Sequence, residues 1–514
     1  MVAKNISEQD FKELITERSS KLLALANRIS KCKSTKEILT RPLLGTLLSQ
    51  STQIEELLDA YGANSNCNWC EFRSLTAAMK GFSDVSYELL HIRSVLSGYH
   101  LLSTGRDFVK ATDETLDFTS GILLQTAGKM VTLAGKIGLP VPSKNQNDNI
   151  YAERLPEGRL PSTCEIHKIE TVSETVTFLA TAFLNLAAES KDVCAAARAK
   201  PEEYASFLAS SVSEEKLRSL QLQFHNLQSL YDTYVSGTEA AELDTDLPVL
   251  RGHISVVLHL LRTATLFAHH YERHLVNRRL CRSLSRGETV VKADTLLNVL
   301  MNYSITHISL YIEYAVQLCQ EKLKRYAKVG RIELPIPQYR GFHVRPSTLI
   351  AKIVQHYGSE VRMHLDDEVY DARLPLDMFR ANEKINASKR RWLTEAIVRL
   401  KLVREENIDI DINSVVLGIV LTLAGRGKLI LYEQPLQLPD EPTRKQGTIL
   451  EKVIDEMARL LAMGKIDVES DITTTFVGDK RVLNDIKLLA ESGYGEDKFG
   501  NNVPLPEKLG YLRR

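Results

Sequence analysis

The 514-residue sequence has no run of 18 or more apolar residues. A membrane-crossing helix needs about 20 of them, so none is expected. The polar N-terminus (Lys4, Glu8, Asp10, Lys12) lacks the apolar stretch of a secretory signal. Charge of either sign is not in excess, with 65 Lys+Arg against 65 Asp+Glu. That balance argues against a general nucleic-acid binder and against a polybasic membrane-surface protein. Cysteine is sparse: Cys32, Cys67, Cys70, Cys164, Cys194, Cys281 and Cys319 are odd in number and widely scattered, unlike a secreted disulfide framework. Cys67-Asn68-Trp69-Cys70 is a lone CxxC with no second pair to complete a zinc site. Internal repeats are also missing. The resulting expectation is a cytoplasmic protein.

What is present begins with length: 514 residues should make two or more domains. The first 325 or so are rich in leucine and alanine and nearly free of strand signals. Apolar spacing predicts helices at about 7–32, 42–62, 69–97, 107–137, 166–194, 213–236, 247–280 and 294–327. Ser7 and Ser213 stand where caps belong, and Pro42 and Pro248 where helices begin. Long helices with short loops imply an antiparallel bundle. Residues 138–163, rich in Pro, Asn, Asp and Gly, read as loop or linker. The helical region is therefore either two sub-bundles, 1–137 and 164–327, or one bundle with a long crossover.

Two features of this region have chemical content. Glu88-Leu89-Leu90-His91 is an ExxH step that puts a carboxylate and an imidazole on one helix face. A later helix carries His253, His259, His269, His270 and His274. At 100° per residue His259, His270 and His274 fall within about 60° of one another. Glu88, His91, His259, His270 and His274 are thus weak metal candidates, but no second ExxH supports a di-metal site, and the expectation is no metal. Arg73, Tyr87, Arg93, Arg262 and Arg278 either line an anion pocket or form salt bridges between helices.

The most informative stretch is Gly341-Phe342-His343-Val344-Arg345-Pro346-Ser347-Thr348-Leu349-Ile350. Pro346 suits the first turn of a helix. Leu349, Ile350, Ile353 and Val354 then repeat at helical spacing to about Tyr357-Gly358. A neutral imidazole is nucleophilic near pH 7. Free N–H groups and the positive end of the helix dipole would stabilise a dianion on that ring. Arg345 adds a fork of donors. His343 is the candidate phosphoryl acceptor, and Arg345 with the amide at Val344 the phosphate-binding set. The plain alternative is a surface histidine capping a helix.

Gly-Phe-His-Val-Arg-Pro-Ser-Thr resembles the active-site motif of HPr, the histidine phosphocarrier of the bacterial sugar phosphotransferase system. Val416-Leu417-Gly418-Ile419-Val420-Leu421-Thr422-Leu423-Ala424 resembles that family's second helix, and Gly427-Lys428-Leu429-Ile430-Leu431-Tyr432 its last strand. The resemblance spans about residues 330–465 and implies an α+β open-faced sandwich, β-α-β-β-α-β-α, beside the mostly α N-terminal bundle. Its expected strands are Arg331–Pro337, Glu360–Leu365, Ile408–Asn413 and Lys428–Tyr432, with a helix at 446–463 closing the order. The family's hairpin between the second and third strands is tight. Here a helical insertion at about 367–406 intervenes, with Lys384, Lys389, Arg390 and Arg391 and a helix from Ser388 to Arg404. Alternatively Glu368–Ala372 is the third strand and the insertion follows it. Residues 466–514 form a C-terminal extension, with a further helix at about 479–491 and a polar tail.

By this resemblance an enzyme I-like protein, charged from phosphoenolpyruvate, donates a phosphoryl group to His343. The chain is then a carrier or phosphorylation-responsive regulator rather than a conventional enzyme, with an acceptor protein left open. It needs no cofactor beyond a transient phosphohistidine. Some family members carry a regulatory serine at the start of the second helix. Val415 takes that place here, with Ser414, otherwise an N-cap, beside it. The alternatives are a non-transferring scaffold that keeps the fold, or a ligand- or metal-binding bundle under its control. The large helical surface makes a homo-oligomer a further expectation.

Overall fold

A computed structural model describes residues 5–142, 151, 153, 172–276, 289–403, 411–433, 435–438 and 447–513. Cys164, Cys281, Arg278, Ile408, Ile410 and most of the 138–163 linker lie outside these residues. The protein is mostly helical with a small antiparallel sheet, and no described helix is long and apolar enough to cross a membrane. It divides into two compact units, Met1–Cys319 and Gln320–Arg514.

The first unit is built from α1 (Glu8–Ser30), α2 (Arg41–Ala60), α3 (Cys70–Val95) and α4 (Phe108–Ile137), followed by α5 (Val172–Glu189), α6 (Lys191–Ala196), α7 (Tyr204–Leu208), α8 (Glu214–Tyr234), α9 (Glu239–Leu243) and α10 (Asp246–His269). Then come α11 (Ala293–Val299) and α12 (Thr306–Arg325). Local chemistry sets the starts: Ser7 Oγ accepts the Asp10 N–H at 3.1 Å, and Ser213 Oγ that of Lys216 at 3.4 Å. Gly138, at φ 72°, ends α4 in the left-handed conformation that suits glycine. Ile15, Leu22, Leu23 and Ile29 of α1 are wholly buried, and α3 packs against α2, α4 and α10.

The two long helices expected at 247–280 and 294–327 are interrupted. A π-helix follows α10 at His270–Val276, and another, Leu300–Ile305, separates α11 from α12. Thr306 Oγ1 donates to the Met301 carbonyl at 2.9 Å across the second interruption. The wider π turn resets the phase of every residue after it. The 100° spacing that aligned His259 with His270 and His274 therefore stops at His269. His253 instead does structural work. Its Nδ1 donates to the Tyr311 carbonyl at 3.0 Å and its Nε2 accepts the Leu102 N–H at 3.1 Å. Burial holds its pKa below the ordinary histidine value.

The second unit runs β1 (Val329–Pro335), α13 (Val344–Tyr357), β2 (Val361–Leu365), β3 (Glu368–Asp371), α14 (Pro375–Arg399), α15 (Ile412–Gly425), β4 (Leu429–Leu431), α16 (Ile449–Ala462), β5 (Ile466–Val468), β6 (Thr473–Asp479) and α17 (Lys480–Glu491). Four strands form one antiparallel sheet in the order β1-β6-β2-β3, with Ile332 and Met363 both opposite Phe476. The helix α17 packs on β1, on β6 and against α13.

Several boundaries differ from expectation. The β2–β3 hairpin is tight, Leu365 pairing with Glu368 and Asp366 turning at φ 51°, so nothing is inserted at its tip. The third strand is Glu368–Asp371, as in the alternative placement, and Ile412 begins a helix where the other placement put a strand. The added material lies between β3 and β6. The segments matched to the second helix and last strand, α15 and β4, build a separate core: Val416, Ile419, Val420 and Leu423 pack with Leu393, Leu429, Val453, Met457 and Leu460. There β4 pairs with β5 in a two-stranded sheet. Apolar stretches of this kind satisfy either arrangement, because alternation specifies a buried face and not the neighbouring strand. The fourth strand of the main sheet is β6, inside the 466–514 stretch read as an extension. Ser414 is not the N-cap of α15. Asp411 is, accepting the Asn413 and Ser414 N–H groups, while Ser414 Oγ donates to the same carboxylate at 2.7 Å.

The end of the chain packs onto α13, where His356 stacks on Tyr511 with ring centroids 4.1 Å apart. Burial pushes the His356 pKa down to about 4. The unfolded chain then takes up a proton near pH 6.5 that the folded chain refuses until about pH 4. Stability contributed above pH 6.5 should therefore be lost as the pH falls toward 4, by about 2–3 kcal/mol. Chemical denaturation at pH 7.5, 5.5 and 4.5 should show this slope, and His356→Gln should flatten it. An unchanged slope in the variant would place the acid sensitivity elsewhere.

Candidate functional site

The site is assembled on the loop Tyr339–Phe342 that feeds α13. Arg340 and Gly341 take consecutive positive φ values of 55° and 62°. That double left-handed turn is costly for arginine, and it is held from outside. Asn382 of α14 donates its side-chain N–H to the Arg340 carbonyl at 3.1 Å, and the Arg340 N–H donates to Asp467 Oδ2 at 3.2 Å. A Cβ on Gly341 would collide with Asn382 Oδ1, which adds a steric reason for glycine there. Asp467 is itself paired with Lys389 at 2.7 Å, both side chains almost fully buried. The adjoining Phe342 is wholly buried, its ring edge-on to Phe476 at 6.4 Å and to Tyr494 at 6.0 Å.

The turn delivers His343 to the N-cap of α13 in extended geometry, with no side chain capping the helix. Its ring is partly exposed and meets Tyr339 edge-on at 5.4 Å. Val344 is 67% exposed, so the open end of the helix faces solvent. Arg345, in the first turn, is about one-third exposed. Thus the three residues expected to act together, His343, Val344 and Arg345, do share one helix end.

Three further residues were not legible as site residues. Glu496 places Oε2 2.7 Å from His343 Nε2 and Oε1 3.7 Å from Arg345 Nε, while its side chain is 7% exposed. Asn502 Oδ1 accepts a hydrogen bond from Arg345 Nη1. Asp497 folds the intervening turn, accepting the N–H groups of Phe499 at 2.8 Å and Asn501 at 2.9 Å. Hydrogen bonds from the Asn501 side chain and backbone hold the Asp497 carboxyl below its usual pKa. The glycines at 493, 495 and 500, all at positive φ, are the signal that this tail is a constructed turn.

In the helical unit the weak metal candidates separate into two places. Glu88, His91 and His259 converge: Glu88 Oε2 is 2.9 Å from His259 Nδ1, and the two imidazoles lie 4.5 Å apart. Arg262 binds the other Glu88 oxygen at 2.9 Å and Asp84 at 3.0 Å. The bond to His259 and the Arg262 charge hold the Glu88 pKa below the usual range although burial raises it. His270 and His274 sit instead beside Phe82 and Arg73. No group of three or more His, Cys, Asp or Glu side chains among the described residues has the geometry to hold a metal ion. The arginines make salt bridges between helices, Arg73 with Asp59 at 2.7 Å and Arg93 with Asp113 at 2.8 Å. Cys67 is exposed and Cys70 buried at the start of α3.

No family model, curated protein or solved structure matches the chain.

Proposed function

We propose that His343 accepts a phosphoryl group, making the protein a phosphocarrier or a phosphorylation-responsive regulator. The observation that carries this reading is the placement of a partly exposed imidazole at the N-cap of a helix, making no capping hydrogen bond itself, with Arg345 in the first turn. Backbone N–H groups and the helix dipole favour a dianion there, and a guanidinium fork completes its coordination. The phosphohistidine would be a covalent intermediate of the kind used in nucleophilic catalysis. Further support comes from the resemblance of the motif to HPr. The donor on this reading is an enzyme I-like phosphoprotein.

The full chain incubated with labelled phosphoenolpyruvate and enzyme I should acquire acid-labile label. His343→Ala should abolish it, and Arg345→Ala should slow it about 10- to 100-fold, the value of one charged hydrogen-bond pair. Label that survives His343→Ala would dismiss the assignment.

One observation favours a second reading, a regulatory protein that transfers nothing onward. Arg345 is already engaged by Glu496 and Asn502, so the guanidinium must exchange partners to meet a phosphate. Label that enters His343 but never leaves for any acceptor would favour this variant.

A further inference from the structure

We propose that the pocket walled by α14, the start of β4 and the β5–β6 connection binds a basic amino acid, a small molecule with one carboxylate and two ammonium groups. The proposal does not rest on the phosphoryl-acceptor reading of His343.

The cavity measures about 410 Å³, inside the range of about 300–1,000 Å³ usual for small-ligand sites. Three parts of the C-terminal unit form it. The helix α14 contributes Lys389 and Trp392, Lys428 stands directly before β4, and Glu469 and Asp471 belong to the β5–β6 connection. Backbone hydrogen bonds fix this frame. The Lys428 N–H donates to the Leu423 carbonyl at 3.0 Å, and the Lys428 carbonyl accepts the Glu469 N–H at 3.1 Å. Beyond Asp471, the Ile472 carbonyl accepts the Ile336 N–H at 3.2 Å. A wall tied down at these points needs little ordering on binding.

The charges in the wall select the ligand. Lys389 is neutralised already, 2.7 Å from Asp467 with both side chains almost fully buried. Lys428, Glu469 and Asp471 are exposed, and among the described residues none of the three has an ion-pair partner. The wall therefore offers one ammonium and two carboxylates. A ligand with one carboxylate and two ammonium groups is its complement, the carboxylate meeting Lys428 and the ammonium groups Glu469 and Asp471. The Trp392 indole suits the same molecule, since it attracts a cation and gives a methylene stem an apolar surface. A simple anion would meet two carboxylates for one ammonium. A neutral amino acid would leave one carboxylate without a partner.

The test uses the full chain, labelled with ¹⁵N-tryptophan, and L-lysine as the probe. Trp69 and Trp392 should give two indole N–H signals, assigned by Trp392→Phe or Trp69→Phe. L-lysine should move the Trp392 signal saturably and leave that of Trp69 in place. Lys428→Met should weaken L-lysine binding about tenfold, the loss of one charged hydrogen bond. It should not weaken cadaverine, which has no carboxylate. Glu469→Gln with Asp471→Asn should remove the preference for L-lysine over L-norleucine, which lacks the second ammonium group. These side chains are exposed, so neither variant should shift the urea midpoint. A Trp392 signal that drifts without saturating would overturn the proposal. So would equal binding of L-lysine and L-norleucine by the native chain, or full affinity for L-lysine in the double variant.

Discussion

Lys389→Met is expected to destabilise the C-terminal unit by about 3–5 kcal/mol, the usual result of removing one partner from a buried ion pair. Lys389 and Asp467 are 2% and 4% exposed and joined at 2.7 Å. The substitution keeps the volume and apolar stem of lysine but leaves the Asp467 charge without its counter-ion. The carboxylate would retain the N–H groups of Val468 at 2.7 Å and Arg340 at 3.2 Å, with the Tyr432 hydroxyl beside it. Urea unfolding followed through Trp392, which packs on the neighbouring core, should report the change. The double variant Lys389→Met with Asp467→Asn should recover part of the loss, because no unpaired charge is then buried. A loss under about 1 kcal/mol for the single variant would mean that water or another cation reaches Asp467. Since Asp467 also holds the Arg340 N–H, the single variant should loosen the turn that presents His343.

Phe342→Ala should cost a similar amount, about 3–5 kcal/mol, the range for deleting a fully buried aromatic ring. Phe342 has no exposure and contacts Phe476 of β6 on one side and Tyr494 on the other. Its position explains why the effect should reach the site. The ring precedes His343 by one residue, and Tyr494 precedes Glu496 by two, so one cavity would loosen both partners of the imidazole–carboxylate contact. Phe342→Leu, which keeps most of the volume, should cost distinctly less. Denaturant midpoints together with amide exchange at the start of α13 would test both effects. A large fall in stability with unchanged protection there would show that the aromatic cluster and the His343 turn are energetically separate.

The helices of the first unit were largely readable because long amphipathic repeats with local caps specify themselves. Ser7 and Ser213 cap as their spacing suggests. The π-helical turns were not readable, since nothing in the apolar pattern around His270 or Leu300 differs from an ordinary helix. Lys389 stands in sequence as one of the basic residues of the insertion, yet it is buried: a lysine in sequence carries no sign of the distant Asp467 that neutralises it.

By itself the sequence determined the local site: a histidine at the head of an amphipathic helix, with an arginine and a proline in its first turn. Those features lie within a few residues, where spacing and backbone chemistry decide the outcome. Only the tertiary structure decided which strand completes the main sheet, where α15 and β4 pack, and what stands behind the imidazole. Strand pairing depends on long-range contact, which an apolar stretch such as Lys428–Tyr432 leaves open. Glu496 lies 153 residues beyond His343, and only the folded Tyr494–Asn502 turn brings its carboxylate onto Nε2.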